Sequence, residues 1–341
     1  MINRDIVVVG ASAGGIDALS DIAKRLPPDL PAAVFVVVHI APYSPGYLPE
    51  ILSTRGALPA ENARDGKCFV NSAIYVAPPD HHLLLQADRT MVVVRGPKEN
   101  HARPAIDPLF RSAALAFGSR VIGLVLSGGL DDGTAGLRGI KMCGGTTVVQ
   151  DPSEALVDSM PRSALRSVSI DYCRPARQLA ELIVELARSP IPERSLALED
   201  GTMRRMLEAE AELAKGATDI SVADLGDPSI FTCPECHGTL LKLSGETLRY
   251  RCHTGHAFTA DSLLAQLGEA TDAAIWGSVR AIQESSMLMA HLAHHWRGID
   301  PSIADEFLRK AKTAEARADL IRKAAAEHET VSENKVKAET E

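Results

Sequence analysis

Ser12 stands in Gly10-Ala-Ser-Ala-Gly14, between the apolar run Ile6–Val9 and a segment with helical spacing. This is the G-x-S-x-G pattern of a nucleophile elbow: small neighbours let the backbone turn sharply enough to lift a serine hydroxyl clear of a sheet. The first amides of the following helix then point toward any developing oxyanion. A glycine-rich turn can also cradle a phosphate. A dinucleotide site, however, needs G-x-G-x-x-G, and an NTPase needs a Lys before the Ser or Thr; neither is present. At the end of the second apolar run, where a ribose-binding acid would stand, the chain has His39. Ser–His chemistry is the better reading. The carboxylate needed to orient the imidazole is sought in "VIGLVLSGGLDDGTAG", where Asp131 and Asp132 follow another apolar run, although either could be a plain helix N-cap. The order Ser, His, Asp is not that of the α/β-hydrolases, so a different topology is expected.

A second constellation lies downstream. "CPECHG" and "YRCHTGH" supply Cys233-x-x-Cys236, then Cys252 with His253 and His256. Two such knuckles close a tetrahedral zinc site in zinc ribbons, and four protein ligands leave no open position for catalysis. A structural zinc is expected, held by Cys233, Cys236, Cys252 and His256, which is chosen over His253 because its longer spacing gives the chain room to turn. No cofactor is expected for catalysis.

The elements that must carry these residues are legible in outline. Apolar, β-branched runs at "IVVVG", "AVFVVVHI", "AIYVAP", "RVIGLVLSGG" and "TTVVQ" alternate with helical patterns at Ile16–Leu26, Asp107–Phe117, Thr134–Met142 and Ala176–Arg188. The alternation predicts an α/β fold with a doubly wound, mostly parallel sheet. "HHLLLQ" and "TMVVVRG" read as an antiparallel hairpin at a sheet edge. The charged helix in "EDGTMRRMLEAEAELAKG" reads as part of a linker, followed by a loop rich in Asp, Gly and Pro. From Asp261 onward two long helical patterns, broken at "RGIDP", predict a helical hairpin with a frayed end at "VSENKVKAETE". The expected division is residues 1–190, a catalytic domain; 191–230, charged helix and linker; 231–260, a zinc-ribbon-like module; and 261–341, the hairpin tail.

The bulk numbers exclude several classes. With 341 residues and 45% hydrophobic content the chain can bury a sizeable core, and two domains, or one with an appendage, are expected. The net charge of -8 disfavours nonspecific nucleic-acid binding. The longest apolar run, "AAVFVVV", is far short of the roughly 20 residues that span a bilayer, so no membrane insertion is expected. The start lacks the layout of a signal peptide, and the clustered cysteines suit metal binding in a reducing compartment; a cytoplasmic location follows as an expectation.

Taken together, "VVVGASAGGIDAL", "VVVHIAP", "IYVAPPDHHLLL", "RPAIDPLFRSAA", "VLSGGLDDGTAG" and "QDPSEALVDSMPRSAL" resemble, in order, the catalytic domain of the chemotaxis protein-glutamate methylesterase family (CheB) over about the first 190 residues. The resemblance implies Ser12 as nucleophile, His39 as base and Asp132, rather than Asp131, as the orienting carboxylate. It implies the amide of Gly129 as an oxyanion donor, to which elbow geometry adds that of Ala13. His82, Arg103 and Met160 match recurrent family positions and are expected to line the substrate groove. The implied activity is hydrolysis of γ-glutamyl methyl esters on methyl-accepting chemoreceptors or similar helical sensory proteins, releasing methanol. A protein-glutamine deamidase at the same site, or a zinc-containing adaptor that binds methylated helices, are the alternatives. The resemblance begins at Asp5, so activation by an N-terminal receiver domain in cis is not expected. The chain also departs from the family pattern at Ala13 and at Gly129-Leu130. The helical tail resembles that of some receiver-less relatives and could cover the cleft, dock on a receptor bundle or form a homodimer.

Overall fold

β-branched residues supply most of the central strands, and they pair in parallel. The computed structural model describes residues 3–191, 201–217, 222–245 and 247–326, so the segment "VSENKVKAETE" lies outside the described residues. The strands of the catalytic region are β1 (Ile6–Ala11), β2 (Ala33–Val38), β3 (Ala60–Asn62), β4 (Ile74–Val76), β5 (His82–Leu85), β6 (Met91–Val94), β7 (Val121–Val125), β8 (Thr146–Gln150) and β9 (Tyr172–Arg174). Seven of them form one parallel sheet in the order β3-β4-β2-β1-β7-β8-β9. Its helices are α1 (Gly15–Arg25), α2 (Leu48–Arg55), α3 (Ile106–Phe117), α4 (Thr134–Met142), α5 (Ser159–Ser167) and α6 (Ala176–Arg188).

Because side chains alternate along a strand, β1 feeds two cores. Val7, Val9 and Ala11 pack with α1, α2 and α6, whereas Ile6 and Val8 pack with α3, α4 and α5. Strands buried on both faces read as the continuous apolar runs seen in the sequence. The order reverses at β1, which pairs β2 on one side and β7 on the other. In doubly wound sheets the crevice beyond such a switch point is where ligands bind.

One local expectation is corrected. The hairpin of β5 and β6 is a separate two-stranded ribbon, not an edge of the main sheet, and Leu83, Leu85 and Met91 bury themselves in the core beneath it. The short strands β3 and β9 and the helix α5 lacked a pattern long enough to announce them.

The charged helix expected within residues 191–230 packs against the catalytic region. α7 (Gly201–Ala214) buries Leu207, Glu210, Ala211, Leu213 and Ala214 and contacts α3. Gly96 admits this approach, since a Cβ there would lie 1.9 Å from the Ala214 carbonyl oxygen. Beyond α7, β10 (Gly226–Thr232), β11 (Thr239–Leu243), β12 (Arg249–Cys252) and β13 (Ala257–Thr259) form a four-stranded antiparallel sheet. Buried ions join it to the catalytic region. Glu99 pairs with Arg111 of α3 at 2.5 Å and with Arg251 of β12 at 3.0 Å, and Glu210 of α7 pairs with Arg251 at 3.1 Å and with Arg249. Compact contact accordingly runs through Met1–Ser262 as one unit, with Leu263–Glu341 as a second.

The second unit is formed by most of α8 (Ala260–Trp296) and by α9 (Pro301–Ala326). Asp300 caps α9 through the amides of Ser302 and Ile303, and Pro301 occupies its first position, where a missing N–H costs nothing. Ala304, Ala311, Ala318 and Ala325 are buried at seven-residue spacing. Among the described residues, no helix is long and apolar enough to cross a membrane.

Candidate active site

The carboxyl ends of β1, β2 and β7 converge on one pocket. At the end of β1 the chain turns through Ser12 and Ala13 into α1, with Gly14 left-handed at φ 75°. The turn is pinned by its neighbour strand: the Ser12 amide donates to the Ser127 carbonyl at 2.9 Å, and the Ser127 hydroxyl donates to the Ala13 carbonyl at 2.8 Å. Gly128 must be glycine. A Cβ there would lie 2.1 Å from Met160 Sδ and 2.7 Å from Ser12 Cβ. Ala13 and Gly129 line the pocket, and their amides donate to no acceptor among the described residues, which leaves both available to an oxyanion. Leu130, left-handed at φ 60°, carries the backbone strain common at functional turns.

His39 lies just past β2, its amide donating to the Ala11 carbonyl at 3.1 Å. Its Nε2 meets Asp132 Oδ2 at 2.8 Å. Asp132 is buried and its two oxygens are fully engaged. Oδ2 also accepts from the Ile106 amide at 2.7 Å, and Oδ1 accepts from the Gly133 amide at 2.9 Å, the Asp107 amide at 3.3 Å and Asn100 Nδ2 at 3.0 Å. Burial alone would push the Asp132 carboxyl up; the hydrogen bond and charge of His39, with these donors, hold it below the usual carboxylate range. The N-cap reading of this aspartate is thus half met. Asp132 satisfies the first amides of α3, not those of α4, while it also orients the imidazole.

Asp131 points away from the pocket and accepts from Thr259 Oγ1 at 2.8 Å. Burial, with Asp261 nearby, pushes its carboxyl up to about 7. Asp107, buried beside Asp132, is likewise pushed up to about 7 by burial and by that neighbouring charge.

The positions expected to line the groove divide. Arg103 does line it, held by Asp80 at 2.6 Å and by the Gly96 carbonyl at 2.7 Å. His82 and Met160 do not, and this corrects the expectation: both are wholly buried. His82 Nε2 donates to the Pro97 carbonyl at 2.8 Å and its Nδ1 accepts from the Ala105 amide at 3.2 Å; burial, the largest effect, pushes its pKa down and favours this neutral form. It shapes the loop that carries Arg103. Met160 packs under Gly128. Sequence reasoning missed Asn100, Lys98 and His101, which line the pocket from the same loop. Asn100 has φ 49°, and a polar residue able to adopt that conformation was the one local signal available.

Outside the pocket, one Sγ each of Cys233, Cys236 and Cys252 and one ring nitrogen of His256 gather within 4.8 Å of one another, and His253 is not in the group. Cys236 and Cys252 Sγ are 3.6 Å apart, and His256 Nδ1 is 3.5 Å from Cys252 Sγ and 3.7 Å from Cys233 Sγ. A tetrahedron built on Zn–S bonds of about 2.3 Å has edges of about 3.8 Å, so the donor set fits zinc in kind and in spacing.

Comparison with known proteins agrees with this geometry. Residues 7–183 match the family model described as CheB methylesterase. A relative from Leptospira interrogans is 36% identical over 192 residues, 56% of this chain and 100% of that protein. The protein-glutamate methylesterase/protein-glutamine glutaminase of Thermotoga maritima is 34% identical over 188 residues, 54% of this chain and 55% of that protein, and one from Methanosarcina mazei is 33% identical over 192 residues, 54% of this chain and 52% of that protein. This chain therefore spans the whole of the first relative and about half the length of the other two. The crystal structure of the Thermotoga maritima CheB methylesterase catalytic domain superposes with a TM-score of 0.53 at 34% identity, covering 54% of this chain and 100% of that one.

Proposed function

The chain belongs to the CheB methylesterase family, and on that premise we propose that it is a protein-glutamate methylesterase. The observation that carries this reading is the 2.8 Å bond between His39 and Asp132 in a pocket shared with Ser12, Ala13 and Gly129. With Nε2 held by Asp132, Nδ1 is the ring nitrogen left to take the Ser12 proton. Oγ then attacks the ester carbonyl, and the oxyanion faces the amides of Ala13 and Gly129. The imidazolium returns its proton to the departing methoxide oxygen, and methanol leaves a glutamyl-enzyme. A water, deprotonated by the same nitrogen, releases the free γ-carboxylate and restores Ser12. A glutamine side chain enters the same cycle with ammonia as leaving group, the second activity in the relatives' names.

The substrates proposed are methylated glutamates on chemoreceptors or similar helical sensory proteins, met in the cytoplasm. The Cys/His cluster is proposed to hold one zinc ion with no open coordination position, so its role is structural. Mass spectrometry of methylated receptor peptides, with methanol assay, tests the reading. Full-length protein should release methanol and leave unesterified glutamate side chains on the peptide, and Ser12→Ala should lower the rate by about 10³-fold or more. Capture of the peptide without methyl loss would instead favour the adaptor.

A further inference from the structure

The outer wall of the pocket is the segment 98–103, and it is held from downstream in the chain. The Asn100 amide donates to the Ala257 carbonyl at 2.8 Å and the Ala257 amide donates to the Lys98 carbonyl at 3.2 Å, so the segment lies alongside β13 as a parallel bridge. Lys98 and His101 also reach Glu235, which sits between Cys233 and Cys236, at 2.9 and 3.0 Å. At the centre is the Asn100 side chain. Its Nδ2 donates to Asp132 Oδ1 at 3.0 Å and to Asp107 Oδ2 at 3.2 Å, while its Oδ1 accepts from the Thr259 amide at 3.1 Å and from Ser262 Oγ at 3.1 Å.

We propose that Asn100 is a positioning residue of the active site and that the Cys/His sheet is its anchor. The end of β13 grips the amide oxygen, and the amide nitrogen holds Asp132 where it can face His39. A carboxamide suits this place because it accepts on one side and donates two hydrogens on the other. Those two hydrogens go to two buried carboxylates that otherwise repel each other. The sheet beyond α7 is therefore a working part of the esterase site rather than a tether.

This inference rests on the esterase reading, and its test keeps the two apart. Full-length, zinc-loaded protein is treated with a fluorophosphonate, which phosphonylates an activated serine without needing the receptor, and is assayed for methanol release in parallel. Asn100→Ala should slow both by about 10–100-fold with KM changed by less than about twofold, the size typical of lost supporting hydrogen bonds. Thr259→Val combined with Ser262→Ala, which leaves every pocket residue in place, should slow both by about fivefold or more. Thr259→Ser with Ser262 intact should retain the wild-type rate.

Asn100→Asp supplies a signature that loss of packing does not. Around position 100 stand Asp107, paired with Arg111, and Asp132, paired with His39, on the catalytic side and, beyond Thr259, Asp131 with Asp261. A third carboxylate there repels its neighbours when ionised and donates again when protonated, so the ratio of variant to wild-type rate should rise as pH falls. Zinc content and thermal midpoint are read on the same samples, and if the double variant loses its zinc the pH ratio of Asn100→Asp decides. Wild-type protein that neither labels nor releases methanol would overturn the esterase reading. Labelling of wild type, Asn100→Ala and Asn100→Asp at one rate, with a flat pH ratio, would overturn this inference and leave that reading standing.

Discussion

The two walls of the pocket are held by different forces. Ser12, His39 and Gly129 follow the ends of parallel strands, where ladders such as Val9↔Val36 and Val9↔Leu124 fix the backbone and apolar packing fills both faces. Lys98, Asn100 and Arg103 stand on a loop fixed by buried ions, a side-chain amide and a bridge to β13. Many small, repeated interactions place the first wall, so losing one shifts it slightly. A few strong, interdependent ones place the second, and a charge stripped of its partner there has no water to turn to.

The largest expected difference comes from breaking the ion network. Glu210→Ala leaves Arg249 and Arg251 short of a partner in a buried site and should cost about 3–5 kcal/mol in urea unfolding. An equal cost from an exposed pair such as Arg204–Glu208 would contradict the contrast, since exposed pairs contribute about 1 kcal/mol or less. On the sheet wall, Gly128→Ala should cost about 1–3 kcal/mol, because the new methyl collides with Met160 and Ser12. Its diagnostic is a fall in kcat alongside the stability loss, as Ser12 Cβ must move.

The smallest effect sharpens the comparison at the junction. Asp131, pushed up to about 7 in the fold from an ordinary 3.8, holds a proton that the unfolded chain releases. Its contribution to stability is full below about pH 4 and is lost as pH rises to about 7. Asp131→Asn should therefore stabilise the protein by about 1 kcal/mol at pH 8, and by progressively less toward pH 4. A thermal-midpoint gain that did not vary with pH would show that the carboxyl is ionised throughout.

The first wall was legible in the sequence; of the second only Arg103 was, and that through the family resemblance. Gly10 to Gly14, His39 and the Gly129–Asp132 turn each sit next to an apolar run, and local pattern is enough to place them on one rim. Thr134–Met142 and Ala176–Arg188 match their helices for the same reason. The pairs Glu99–Arg251 and Asn100–Thr259 join residues more than 150 positions apart, and nothing local marks them. α7 was legible as a charged helix but read as part of a linker, because its charged residues look solvated until Glu210 is seen against two arginines. His82 read as a groove residue because it matches a recurrent family position, and such a match does not reveal that β5 turns this ring inward.

The bridge between Glu99 and Ala257 also orders events in time. Every strand of the parallel sheet is complete by Arg174, but the residues that grip Asn100 come last, at Thr259 and Ser262. A ribosome delivers the nucleophile and the imidazole first. The emerging chain can therefore build its elbow early, yet the residues that hold the second pocket wall are in place only after Ser262 has left the exit tunnel.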